Sequence, residues 1–258
     1  MSVFVDQVFQ LGRRSVVRTV RQPANVVGPL VFPMLLLAVN SGGLKAATNL
    51  PGFPTNSFFA FALAVPFIQG ALFATMNTGT DLARDIQTGF LSRLSLTPMR
   101  GVALLAGQLG GVAVLTIAQV TVYLAVGFAV GVRLESGLAG VVVIFLFATL
   151  VGLGFGALGA FAALRTGSGE AVQSLFPVFF VFLFISSMAM PRNLIEIKWF
   201  QTAATLNPVS YLIEGIRSLI VIGWDAEALA LGFGTALLIA AIAVSLATFS
   251  LRTRLTRS

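Results

Sequence analysis

Apolar residues run along this chain in six long stretches separated by short polar segments, roughly 26–39, 58–76, 102–132, 138–164, 171–190 and 228–251. A membrane-crossing helix needs about 20 predominantly apolar residues. A backbone in lipid must also satisfy its own hydrogen bonds, so the stretches predict helices rather than open strands. The first stretch is short and holds Pro29 and Pro33, while the second and fifth hold Pro66 and Pro177. The third and fourth are longer than one crossing needs and predict tilted or projecting helices. Residues 4–21 follow a different pattern. Val5, Val8, Phe9, Gly12, Val16 and Val20 recur on one helical face, and Gln7, Gln10, Arg14, Arg18 and Arg21 on another. That pattern predicts an amphipathic helix lying on the membrane surface with a basic polar face, set against a basic tail that only fixes topology. The expected architecture is an all-α integral membrane protein of one domain, 1–258. It has six transmembrane helices, an interfacial helix in 1–22, a loop at 80–100 and an outer segment at 191–225 that re-enters the membrane before the last helix.

Composition sharpens this picture. The chain is 57% hydrophobic and 10% charged, where a soluble domain carries about 25% charged residues, so lipid must serve as its solvent. It has no cysteine and no histidine. Disulfides, thiolate metal sites, intramembrane metalloproteases and Ser–His enzymes are therefore excluded, and no metal site is expected. No cleavable signal peptide is expected either, because the first 21 residues mix Asp6 with Arg13, Arg14, Arg18 and Arg21.

With the N-terminus inside and six crossings, eleven basic residues fall inside and five outside, and the whole net charge of +7 lies on the inner face. That placement follows the positive-inside rule. It assigns the basic excess to topology and lipid headgroups rather than to nucleic acid.

The stretches hold few polar groups, chiefly Gln69, Asn77, Gln108, Thr116, Gln119, Thr121 and Tyr123. No ionisable residue is placed deep in a span, which argues against an ion-coupled secondary transporter, the main alternative among transporters. A membrane enzyme would need clustered acids or a nucleophile–base pair, and neither is present. Gly154 to Gly159 fits G-x-G-x-x-G but lies mid-span, without the strand, helix and acid a dinucleotide site requires. Ala148, Gly152, Gly156 and Ala160 instead make one smooth face for close helix packing.

The segment 81–100 carries Phe90, Leu91, Leu94 and Leu96 in a loop expected to face water. Gly89 permits a turn and Pro98 ends the helix. The residues alone leave two readings open: a docking knob for a cytosolic partner, or a short helix that returns the chain to the membrane.

The order Asp85-x-x-Thr88-Gly89-x-Leu91-x-x-Leu94-x-x-Thr97-Pro98, with Arg93 inside it, resembles the loop of type 2 ABC exporter permeases, especially the daunorubicin-resistance-like branch. Asn207-Pro208-x-x-Tyr211-x-x-Glu214-x-x-Arg217, with Pro191 and Trp199 upstream, is similar to that family's segment before the last helix. The departures are Asp85 where Glu is usual and Phe90 after the glycine. The resemblance implies a permease subunit without ATPase activity of its own, in keeping with the absence of a G-x-x-x-x-G-K-[ST] loop.

It further implies two permeases, the same or related chains, resting on two cytosolic ABC ATPase subunits that bind ATP and magnesium. Asp85, Thr88, Gly89, Phe90, Leu91, Arg93, Leu94 and Pro98 would form the coupling loop, and Trp199, Asn207, Pro208, Tyr211, Glu214 and Arg217 an outer gate. Gly152 and Gly156 remain packing residues. The implied function is outward movement of an amphipathic drug, lipid or glycolipid-like substrate across a bacterial plasma membrane, with both termini cytoplasmic.

Overall fold

The computed structural model describes residues 3–95 and 101–255, and among these there are helices and no strands. Twelve α-helices follow in order: α1 Val3–Arg21, α2 Pro23–Gly43, α3 Phe58–Ala62, α4 Ala64–Gln87, α5 Phe90–Ser95, α6 Gly101–Ala129, α7 Gly137–Thr166, α8 Gly169–Gln173, α9 Leu175–Phe184, α10 Lys198–Leu206, α11 Pro208–Arg217 and α12 Ala226–Leu255. Five elements are long and apolar enough to cross a membrane: α2, the joined α3–α4, α6, α7 and α12. The protein is thus a multi-pass, all-helical membrane protein.

The fifth predicted stretch is shorter than expected. Its helix ends at Phe184 and is interrupted at Ser174. Gly169–Phe184 rises about 24 Å, less than the ~30 Å hydrocarbon core, and the chain beyond it is irregular. The second stretch is longer than expected. Helix α4 runs on to Gln87, so Asp81, Arg84 and Asp85 are helical and not part of a loop.

Helix ends and connections gather at two faces. One, the basic end, holds α1, the start of α2, the end of α4, α5, the start of α6 and the ends of α7 and α12. The opposite end holds the α6–α7 connection, α10, α11 and the start of α12. Trp199 and Trp224 both lie there and are largely exposed, as interfacial aromatics commonly are.

Helix α4 is the axis of the bundle, with 89% of its most apolar stretch buried, against 17% for α2 and for α12. It crosses α7 closely. The Thr75 hydroxyl donates to the Phe155 carbonyl at 2.9 Å, and a Cβ at Gly159 would overlap the Thr75 backbone. Gly152 and Gly156 turn toward α6, where a Cβ at Gly156 would lie 2.9 Å from Val112 Cγ2. Gly154 meets the backbone of Ala240 on α12. The small residues of α7 thus admit three neighbours, which is what small faces do in lipid.

Prolines set the irregularities. A proline lacks an N–H and displaces the carbonyl four residues before it. Helix breaks at Leu63 and Ser174 each precede a proline by three residues, Pro66 and Pro177. Helix α2 keeps its course through Pro29 and Pro33. These two prolines free the carbonyls of Asn25 and Pro29, and each carbonyl is taken by a neighbouring helix. Asn77 Nδ2 of α4 donates to Asn25 at 3.1 Å, and the buried Tyr123 hydroxyl of α6 donates to Pro29.

Tyr123→Phe should therefore leave one carbonyl unpaired in a dry interface. Unfolding of the solubilised protein should show a loss of about 1–2 kcal/mol. In a Pro33→Ala background residue 33 regains an N–H for that carbonyl, and the loss should fall to less than half. Equal losses in both backgrounds would show that the hydroxyl acts elsewhere.

Candidate functional site

The basic end is built on two pairs of residues at four-residue spacing. Arg14 and Arg18 lie one turn apart on α1, and Asp81 and Asp85 one turn apart on α4. Spacing of this kind aligns side chains on one helical face. Arg14 meets Asp85 through both guanidinium nitrogens, at 2.9 and 3.2 Å. Arg18 bridges the two acids, reaching Asp81 and Asp85 at 3.1 Å each. Gln108 of α6 adds a third donor to Asp85 at 3.3 Å. The Asp85 side chain is only 5% exposed, and its carboxylate joins three helices.

Helix α1 reaches this position because α6 begins with glycines. Leu11, Gly12 and Ser15 lie where side chains on Gly107 and Gly111 would project, and the Ser15 hydroxyl donates to the Gln108 carbonyl at 3.3 Å. The amphipathic helix expected on the membrane surface is docked on the bundle through small residues.

The turn into α5 follows. Gly89 adopts φ +68°, a left-handed conformation that other residues rarely hold. The exposed Thr88 hydroxyl caps α4 by donating to the Arg84 carbonyl at 2.9 Å. Exposed Arg93 folds back, donating to the Gly89 and Thr88 carbonyls at 3.4 and 3.3 Å. Phe90 lies under the Arg14 guanidinium, 3.9 Å from its ring centre, an attractive cation–π arrangement.

Leu91 was expected to face water but is 5% exposed, packed with Leu82, Leu104 and Leu164. The period of α5 turns it inward, so it anchors the turn. Leu94 continues α5, and Pro98 lies outside the described residues. Of the eight predicted loop positions, Thr88 and Arg93 present the clearest outer surface, while Asp85 and Leu91 belong to the interior.

At the opposite end, the Asn207 side chain caps α11 by accepting from the Val209 N–H at 2.9 Å, and its amide donates to the carbonyls of Phe182 and Ile185 that end α9. Pro208 occupies the first helical position, where no N–H is needed. The Tyr211 hydroxyl donates to the Thr205 carbonyl at 2.7 Å, and Glu214 is ion-paired with Arg192. Burial pulls the Arg192 guanidinium down, but the Glu214 carboxylate outweighs it and holds the group above its ordinary value.

Arg217 is 4% exposed. It donates to the carbonyl of Phe61 at 3.0 Å and of Met188 at 3.2 Å, and its guanidinium lies 3.6 Å from the Phe61 ring centre. Beyond it, Ser218–Ile222 widens into a π-turn stitched to the α6–α7 connection, where the Ser136 hydroxyl donates to the Leu219 carbonyl at 2.7 Å. Trp199 stands apart from these contacts in T-shaped contact with Phe200, and is 67% exposed.

The motif reading missed Arg14, Arg18, Asp81, Gln108 and Arg192 as partners. The matching four-residue steps of 14/18 and 81/85 were the available signal for the first three. Among the described residues no group of acidic side chains could hold a metal ion.

The described residues thus form a helical membrane bundle with a charged, helix-bound turn at its basic end. Residues 6–221 match the ABC-2 type transporter family, and the chain belongs to it. It is 25% identical over 218 residues to a protein of Cyanophora paradoxa named as transport permease ycf38, covering 84% of this chain and 74% of that one. It is 29% identical over 200 residues to the daunorubicin resistance ABC transporter permease protein DrrB1 of Streptomyces coeruleorubidus, covering 75% and 66%. A doxorubicin resistance ABC transporter permease protein, DrrC of Mycobacterium tuberculosis, is 26% identical over 217 residues, covering 83% and 77%. The chain is accordingly the transmembrane subunit of an ABC transporter, a class that works with ABC ATPase subunits.

Asp85→Asn should loosen α1 from the bundle. Breaking a buried pair costs about 3–5 kcal/mol, and since Arg14 and Arg18 can still reach water, the lower end is expected. Hydrogen exchange of α1 should rise while the centre of α7 keeps its protection. Unchanged exchange in α1 would show that the glycine contacts alone hold the helix.

Proposed function

We propose that this permease subunit serves an ATP-driven exporter that moves an amphipathic drug, lipid or glycolipid-like substrate outward across the plasma membrane. Two permeases, identical or related, would stand on two ABC ATPase subunits, which bind ATP and magnesium. The α4–α5 turn would be the contact with the ATPase. The observation that carries this reading is the mechanical anchoring of that turn. A push on α5 reaches Phe90 and Leu91, passes to α1 through Arg14, and reaches α4 and α6 through Asp85 and Gln108. A turn that only returned the chain to the membrane would need none of these links. The outer segment 191–225 would close the exit, with Asn207 and Arg217 tying α11 to α9 and α3. The names of the drug-resistance relatives support an exported amphiphile.

Arg93→Glu reverses a charge on the outer surface of the turn without touching a crossing helix. The ATPase co-expressed with the variant should co-purify at a tenth or less of the unmodified amount, about 1.4 kcal/mol, with normal membrane insertion. Full recovery of the ATPase would remove the turn from the coupling contact.

The orientation has its own check. A cysteine replacing exposed Thr166 at the basic end should resist an impermeant thiol reagent in intact cells, whereas one replacing exposed Thr202 should react. The reverse pattern would invert the topology.

A further inference from the structure

Toward the Arg217 end, α2, the α3–α4 joint and Met188 border a cavity of about 20 Å³. A buried water needs about 10–15 Å³, so the space takes one water and nothing as large as a transported molecule. The side chains that line it are apolar apart from the amides of Asn40 and Gln69, and none is ionisable. Gln69 is 2% exposed, and its Oε1 is buried without a partner. Among the described residues, the Asn40 side chain is not spent on another group of the chain either.

The backbone supplies a third polar group. Helix α3 stops at Ala62 and α4 starts at Ala64. Pro66 has no N–H to offer the Ala62 carbonyl four residues before it. The neighbouring carbonyl of Phe61 is taken by Arg217, and the carbonyls that Pro29 and Pro33 free on α2 are taken by Asn77 and Tyr123. Ala62 instead borders the cavity, together with Pro66 itself and Pro33 from α2. An amide oxygen left unpaired among apolar groups is costly, and buried polar groups in proteins are nearly always paired. Two acceptors at one cavity need a donor that neither can supply.

We infer that this cavity is a site for one bound water, which ties α2 to the α3–α4 joint. The water donates one O–H to Gln69 Oε1 and the other to the Ala62 carbonyl, and it accepts from the Asn40 amide. Buried waters typically make about three such bonds. A divalent cation would need about six oxygens and acidic groups to balance its charge, and this lining holds neither. A bridging water is enthalpically nearly as good as a direct hydrogen bond. It can also shift with the joint, which a direct bond would hold at one angle. The site depends neither on what the chain transports nor on its ATPase.

The test is X-ray radiolytic footprinting of the full chain in phosphatidylcholine nanodiscs. Hydroxyl radicals formed from a bound water oxidise the side chains beside it, however deeply these are buried. Leu37 lines the cavity and Leu124 does not, although the two are 3% and 4% exposed and both lie toward the same end of the bundle. Leu37 should be oxidised about tenfold faster than Leu124. In Gln69→Leu, which removes an acceptor and fills the space, its rate should fall to that of Leu124. The folding equilibrium constant of that variant should drop roughly fivefold, because the Ala62 carbonyl loses its donor. An amide stranded in a dry cavity would give the opposite sign, since an apolar replacement would then stabilise the fold. Equal rates for the two leucines in the unmodified protein, an unchanged Leu37 rate in the variant, or a stabilised variant would each overturn the site. The comparison of the two leucines needs no variant, so it decides the matter even if Gln69→Leu does not fold.

Discussion

In hydrocarbon a backbone carbonyl without a partner costs several kcal/mol, by order of magnitude, and this chain creates such carbonyls repeatedly. Prolines free those of Asn25 and Pro29, the break between α3 and α4 leaves Phe61, and α9 stops short at Phe184. Each is met by a side chain from another helix: Asn77, Tyr123, Arg217 and Asn207 respectively. Arg254 does the same for the Leu164 carbonyl near the end of α7, at 2.7 Å. These five side chains thus serve as partners for backbone, and in doing so they tie neighbouring elements together.

That constraint changes how the charged residues read. Arg217 has no carboxylate within ion-pairing distance among the described residues, yet it is buried, because two carbonyls and a ring replace its water. At the basic end the logic is ionic, with two arginines, two aspartates and an amide binding three helices near water. The Arg217 end is tied mainly by side chains to backbone, with one ion pair between Arg192 and Glu214, and the basic end mainly by charges to charges. The two ends therefore respond differently to the medium: salt screens partly exposed ion pairs but has little hold on a carbonyl bond in a dry core.

Much of the fold was legible because hydropathy reports directly what lipid requires. The amphipathic first helix, the long apolar helices and the small face of α7 follow from residue periods alone. The fifth stretch is shorter as a helix than its hydropathy suggests, because hydropathy counts apolar residues whether or not the chain stays helical, and here the helix is interrupted at Ser174 and ends at Phe184. The 81–100 segment was expected to be a loop facing water, and the structure departs from that at Asp85 and Leu91 for a related reason. A carboxylate near the end of a span reads as loop, and only its partners on α1, some 70 residues earlier, show it to be interior. The outer motif was visible as spacing, but its bonds to the carbonyls of Phe182, Phe61 and Met188 leave no trace in residue pattern, since any residue can supply a carbonyl.

The placement of the two tryptophans has a practical consequence. Trp199 and Trp224 are the only indoles in the chain, and both are exposed at the end away from the Asp81 and Asp85 carboxylates and their arginines. Ultraviolet emission from the native protein is therefore a one-sided signal. It will register events at the α10–α12 surface and stay almost silent when something changes at the other pole, so a quiet spectrum is no sign of a quiet molecule.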